Sequence, residues 1–315
     1  MRIAVFFPAS LFSAWCCSYG LVNTLKRMGH EVIGVPIDPQ KQQYAPQVPE
    51  EGDFEAAIMS GPEHLTRLQK VKWTVPTVAW MHETVEREDY GKLDVEMLKR
   101  SADIVFCPGI QDEKHGFRYL PFGVDTEIFH PDPNQPRTRD AGFIGLVYPK
   151  RQEFLAKLRP LLNGTEFSVG NVQVLEVDGV NPRKTAELYA ENLRSFKVFV
   201  NLPTLSQLAV TKITECLAAG TLLLTPKLKG DAAANASALK HGEDLFYYDA
   251  DDPKDLARQI RTALDSYPAD VAACGAREVA AKHSLEMRAK TLLSALGELS
   301  SGCTPGNRAQ DSKAS

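Results

Sequence analysis

The sequence predicts an α/β protein built from two doubly wound, parallel-sheet lobes that face each other across a cleft. Short apolar runs alternate with amphipathic segments of helical period, and this alternation occurs twice along the chain. Between the two series, residues 130–140 (HPDPNQPRTRD) hold three prolines, several charges and almost nothing apolar, which is linker chemistry. The 315 residues also suit two domains of about 150 residues each.

The first series opens with residues 2–7 (RIAVFF), a continuous apolar run of the kind buried on both faces of a parallel sheet. Pro8 to Trp15 reads as a loop. Residues 18–29 place Leu21, Val22, Leu25 and Met28 on one helical face, and Gly29 stops the helix. A strand at 31–37 completes a β-α-β unit. Further strands are expected at 54–60, 74–82, 102–109 and 117–124, with helices at 63–70 and 92–101. The second series has strands at 141–147, 166–170, 197–203, 221–227 and 244–249. Its helices fall at 151–162, 185–196, 208–220, 253–267, 268–281 and 284–298. The expected division is 1–129 for the first domain, 130–140 for the linker, 141–298 for the second domain and 299–315 for a small, polar, disordered tail.

Composition narrows the function classes. The net charge is −4, so no basic footprint advertises nucleic acid. Six cysteines at 16, 17, 107, 216, 274 and 303 form neither a C-x-x-C pair nor a zinc spacing. Reduced thiols in the cytoplasm are expected. No apolar run reaches the roughly 18 residues of a membrane span, and no Lys-rich amphipathic helix announces membrane docking. The N-terminal run fits a first strand better than a signal peptide. No G-x-G-x-x-G follows it, which argues against a dinucleotide-dependent oxidoreductase.

Five segments suggest chemistry. Gly29-His30-Glu31-Val32 follows the first helix. Tyr119 to Pro131 reads Y-L-P-F-G-V-D-T-E-I-F-H-P. Its Phe129 is expected to pack at a hinge, and Asp125 and Glu127 to be capping or solvated carboxylates. In the third segment a strand ends at Gly145, and Lys150 and Arg151 stand at the mouth of the next helix. Such a loop offers backbone donors, a helix dipole and fixed positive charge to a diphosphate. Cations are unfavourable at a helix start, which points to a use for them. The fourth segment is S-Q-L-A-V-T-K-I-T-E-C-L-A-A-G, with Gln207, Thr211, Lys212 and Glu215. The fifth places His82 and Glu83 at the carboxyl end of a strand, where a ligand of an open sheet lies. A strand-end His on a loop without function is an equal reading of that pair.

These motifs resemble the GT-B glycosyltransferases, two Rossmann-like domains, and within them the GT4-type and CgeB-like (spore-protein CgeB glycosyltransferase-like) branches. The resemblance runs over about residues 2–297 and is clearest at 119–155 and 198–263. It is also carried by Gly242-Glu243-Asp244 and by Asp252-Pro253-x-Asp255-Leu256. Two departures stand out. The first loop, Pro8 to Trp15, lacks the family's glycines, and Gln207 replaces the first Glu of a Glu-x7-Glu pair.

The resemblance implies transfer of a sugar from a nucleotide-diphosphate donor to an acceptor, with retention and without a metal or other cofactor. Gly145, Lys150, Arg151, Thr211 and Glu215 would bind the donor, with Glu215 on the ribose. Arg151, Lys150 or Lys212 would stabilise the leaving group, with Gln207 beside the sugar. Ser13, Trp15, His82 and Glu83 would face the acceptor, which the sequence does not identify; a modified DNA base is among the options. A nucleotide-sugar 2-epimerase and a non-catalytic coat or binding protein on the same scaffold are the rival readings.

Overall fold

The computed structural model describes residues 1–8, 18–37, 52–65, 68, 71–87, 91–170, 182–203, 209–228 and 239–301. It contains two parallel sheets. In the first lobe come β1 (Arg2–Pro8), α1 (Gly20–Arg27), β2 (Glu31–Ile37), β3 (Ala56–Ser60) and β4 (Thr77–Trp80). The short antiparallel pair β5 (Glu86–Arg87) and β6 (Gly91–Lys92) follows, then α2 (Val95–Ser101), β7 (Ile104–Cys107) and β8 (Arg118–Tyr119). The second lobe has β9 (Arg139–Ile144), α3 (Pro149–Leu158), β10 (Phe167–Gly170), α4 (Pro182–Arg194) and β11 (Phe196–Val200). It continues with α5 (Thr211–Ala218), β12 (Leu222–Pro226), β13 (Phe246–Tyr248), α6 (Pro253–Asp265) and α7 (Ala269–Lys282). A last helix, α8, spans Leu285–Ser300.

The strand orders are β2-β1-β3-β4-β7-β8 and β10-β9-β11-β12-β13. Each sheet reverses direction beside its first strand, between β1 and β3 and between β9 and β11. Ligands of doubly wound sheets bind at the carboxyl end of that reversal. The strands are apolar on both faces because both faces are covered. Ile3, Val5 and Phe7 pack under α1, while Ala4 and Phe6 join a separate core with Phe54, Met59 and Leu98. In the second lobe, Phe196 and Phe199 pack against α4 and α5, and Val198 and Val200 against α3 and α6.

Local chemistry accounts for several boundaries. The Asp94 and Asp252 side chains cap α2 and α6 by accepting the Met97 and Lys254 amides. Gly220 ends α5 with φ of +71°, and a Cβ there would lie 3.1 Å from Pro131. The expected helix at 63–70 is, in its described part, one 3-10 turn at Pro62–His64. Pro62 fits a first turn, but Gly61 before it is left-handed at φ of +71° and breaks the path from β3. The expected tail lies almost wholly outside the described residues; what is described of it, 299–301, is the end of α8 and its C-cap residue.

The last helix departs from the expected division, which placed everything from 141 to 298 in the second lobe. Leu285, Ala289, Leu292 and Leu296 sit in one core with Ile3, Leu21 and Trp80 of the first. Their spacing of three and four residues makes one stripe, and the first sheet has the uncovered face beside α1. The chain thus crosses between lobes twice, side by side. The Val124 amide donates to the His283 carbonyl (2.9 Å) and the Leu285 amide to the Val124 carbonyl (2.8 Å). Arg288 from α8 donates to the Phe122 carbonyl at 3.2–3.3 Å. Phe129 is buried at this hinge. Asp125, also buried, accepts the Glu127 amide at 3.2 Å and pairs with Arg27 of α1 at 3.4 Å. It is a capping carboxylate, and Glu127 pairs with the same arginine at 2.9 Å.

Leu292 has no exposed surface. Leu292→Ala should therefore destabilise the first lobe by about 2–5 kcal/mol. Tryptophan fluorescence in urea checks this, because Trp15, Trp73 and Trp80 all lie in the first half of the chain. An unmoved fluorescence midpoint would mean that α8 does not support that lobe.

Candidate active site

The second lobe's reversal point is built from two loops, one after β9 and one after β11. Gly145 ends the first strand. Its amide donates to the Gly170 carbonyl (3.0 Å), so that N–H serves the sheet rather than a ligand. A Cβ at 145 would come within 2.7 Å of the Phe143 ring and 3.1 Å of the Lys212 ammonium. Glycine is thus favoured first by the close approach of the Phe143 ring, with the lysine packed beside it.

Arg151 stands on the first turn of α3 and is only 7% exposed. Its Nε donates to the Pro203 carbonyl (2.9 Å), Nη1 to Leu146 (2.8 Å) and Nη2 to Leu202 (3.3 Å). The guanidinium also lies over the Phe143 and Tyr148 rings, at 5.0 and 4.6 Å. Tyr148 donates its hydroxyl to the same Pro203 carbonyl at 2.6 Å. This differs from the expectation of an arginine aimed at a diphosphate. Three backbone carbonyls at strand ends needed donors, and the guanidinium fork reaches all three. Lys150, its neighbour, is exposed.

Lys212 is the cation that lies at the reversal point, on the first turn of α5 and against Gly145. Burial holds its ammonium below the usual lysine range; Glu215 opposes that shift and Arg151 adds to it. Among the described residues no side chain caps the N-terminus of α5, and Thr211 and Glu215 are buried on that helix. Lys212 lies near enough to Glu215 and Arg151 for the charge of each to act on its ammonium. Leu146 and Val147, at the lip, are 57% and 42% exposed. Gln207, Ser13 and Trp15 lie outside the described residues.

On the first lobe, His82 and Glu83 follow β4 and are half-buried. The His82 Nε2 lies 2.9 Å from the Ser60 hydroxyl at the end of β3. The ring fills the space a side chain at Gly61 would need, with Nδ1 2.9 Å from such a Cβ. Burial pushes its pKa down to about 3, so the imidazole is neutral. Glu63, with a side chain wholly shielded from solvent, accepts the His82 amide at 2.6 Å. Burial pushes its pKa up to about 8. Sequence reasoning missed both Ser60 and Glu63. The signal was a strand ending in Ser-Gly-Pro-Glu, with a carboxylate directly after a strand apolar on both faces. Among the described residues no three His, Cys, Asp or Glu side chains gather as metal ligands would.

Residues 146–294 match a family model described as glycosyl transferase-like. No curated protein matches the sequence. Among solved structures, Anabaena HepE in complex with UDP and glucose superposes with a TM-score of 0.65 at 12% identity, over 95% of this chain and 100% of that one. An alpha-glucosyltransferase in complex with UDP and a 13-mer DNA with a central A:G mismatch gives 0.63 at 13% identity, over 94% and 100%. TarM of S. aureus, in a complex with fondaparinux, alpha-GlcNAc-glycerol and UDP, gives 0.57 at 13% identity. That match covers 76% of this chain and 55% of TarM, so the chain spans about half of TarM's length. The architecture is therefore GT-B, two Rossmann-like domains, and the fold is that of glycosyltransferases whose solved relatives hold UDP.

The hydrogen bonds of Arg151 make a prediction that needs no ligand. Arg151→Ala strands the Leu146 and Leu202 carbonyls, Pro203 keeping the Tyr148 hydroxyl, and each is worth about 1–3 kcal/mol if left without a donor. The apo protein should lose about 2 kcal/mol or more, read from its denaturant midpoint. An arginine kept only for a ligand would leave that midpoint unchanged.

Proposed function

We propose that the protein is a retaining, metal-independent glycosyltransferase that takes a sugar from a UDP-sugar. The observation that carries this reading is Lys212 packed against Gly145 at the reversal point, one helical turn from Glu215. The arrangement offers one fixed cation to a diphosphate and one buried carboxylate to ribose hydroxyls. UDP as the nucleotude moiety rests on the solved relatives of this fold.

In this reading the acceptor oxygen bonds to the anomeric carbon while the bond from that carbon to the diphosphate oxygen breaks. The diphosphate leaves with the electron pair and takes up the proton that the acceptor hydroxyl releases, and Lys212 and the α5 amides stabilise its charge. Neutral His82 offers a hydrogen bond to the sugar or the acceptor from the opposite lobe. Closure of the lobes excludes water that would hydrolyse the donor. Arg151 holds the loops that frame this pocket, and Gln207 is assigned to the donor sugar. The acceptor is a nucleophile not yet identified. We place the protein in the cytoplasm, in keeping with the free thiols of Cys107, Cys216 and Cys274. No described helix is long and apolar enough to cross a membrane.

A second reading, a binding protein that keeps the scaffold without turnover, is favoured by Gln207. A glutamine cannot stabilise a developing oxocarbenium charge as a carboxylate can. Product analysis with UDP-sugars separates the two, and Gln207→Glu probes the position directly.

A thermal-shift panel of UDP, GDP, ADP, TDP and CDP should single out UDP. Lys212→Gln should weaken UDP binding by about 10- to 100-fold, the worth of a charge-assisted hydrogen bond. Glu215→Ala should weaken UDP while leaving inorganic diphosphate unaffected. Equal UDP affinity in wild type and Lys212→Gln would refute the assignment. Turnover should survive treatment with EDTA; its loss, restored by a divalent cation, would refute metal independence.

A further inference from the structure

The most heavily buried acid near the cleft has no place in the reading above. Glu63 sits on the 3-10 turn after β3, and its side chain has no exposed surface. Its Oε1 accepts the His82 backbone amide at 2.6 Å, a short and well-aligned bond. Its Oε2 is buried with no hydrogen-bond partner among the described residues. Among the described residues, the charged or titratable groups that face it are His64, whose Nε2 is 3.8 Å from Oε1, and Glu83. Neither supplies the firm positive charge that would hold a buried carboxylate ionised.

The same turn shapes the rest of the imidazole's surroundings. Ser60 hydrogen-bonds Nε2, and left-handed Gly61 makes room for the ring. Trp80 and Phe122 meet the ring edge-on, at centroid distances of 6.2 and 6.3 Å. Glu63 is the one member of this cradle that grips the backbone of residue 82 rather than its ring.

We propose that Glu63 is a positioning residue for His82, its buried carboxyl fixing the backbone from which the imidazole is presented to the cleft. The inference rests on His82 serving sugar transfer, but its structural half stands apart from that. With Oε1 accepting an amide, the proton of the neutral acid resides on Oε2. The acid stays protonated up to a pH of about 8. Above that the buried ion, facing Glu83, draws water inward and slackens the turn. The sign is that of an acid raised on folding: the working form is complete at low pH and is lost as pH rises through about 8.

The test uses Glu63→Ala and the isosteric Glu63→Gln with 15N-histidine labelling, the His82 ring signals being identified by their absence in His82→Asn. Without any ligand, Glu63→Ala should move those signals and Glu63→Gln should keep them near wild type. The wild-type signals should inflect near pH 8, and those of Glu63→Gln should not. In turnover with UDP-glucose, or the UDP-sugar found active, Glu63→Ala should lower kcat by about a hundredfold, the scale of an ångström's misplacement. KM for the donor should stay within about twofold, and Glu63→Gln should restore kcat and abolish the alkaline decline. Unmoved His82 signals in Glu63→Ala, or a Glu63→Gln variant as damaged as Glu63→Ala, would overturn the proposal. If Glu63→Ala does not fold, the pH inflection in wild type against Glu63→Gln decides alone. Failure of every UDP-sugar would defeat the transferase reading while the ring signals still decide the role of Glu63.

Discussion

One guanidinium spans the place where the second sheet reverses its strand order. Arg151 reaches from α3 to the Leu146 carbonyl after β9 and to the Leu202 and Pro203 carbonyls after β11. Those carbonyls lie beyond the last rung of the ladder, so the Arg151 and Tyr148 side chains supply their donors. With the two loops tied, the ledge on which Lys212 rests has a fixed height. The lysine is then poorly hydrated and close to a second cation, an unfavourable placement that a bound polyanion relieves. The arginine satisfies the protein's own carbonyls, and in the proposed reading the lysine serves the diphosphate.

The first lobe solves the matching problem with opposite means. Its strand order follows the same pattern, and its polar cluster sits after the neighbouring parallel strands β3 and β4. Here the polar groups are a hydroxyl, an imidazole and a carboxyl, all deprived of water and held uncharged by that deprivation. Among the described residues, Lys212 gives the second lobe's cluster a buried cation, while Ser60, His82 and Glu63 give the first lobe's none.

The sequence made the architecture legible because both sheets are parallel and fully covered. Apolar runs such as 2–7 and 221–227, set between helices that Gly29 and Gly220 close, leave few other ways to fold. The neighbourhood of Lys212 and Glu215 was legible too, since helical spacing puts them one turn apart. The orientation of Arg151 was not: which way a helix-start cation points depends on loose carbonyls some fifty residues away. Glu63 was hidden for a similar reason, because its partner is a backbone amide, which any residue supplies. The placement of α8 was misread since an amphipathic stripe declares that a face is covered, not which sheet covers it.

The two crossings beside Val124 also order the events of synthesis. Every residue of the second lobe's core, from Val124 to Val279, lies between them, so that lobe is complete once its own stretch has left the ribosome. The first lobe, begun earlier, must wait for Leu285 to Leu296 before the face beside α1 is sealed. The nascent chain thus matures from its middle outward, and its opening strands need shelter until the final helix emerges.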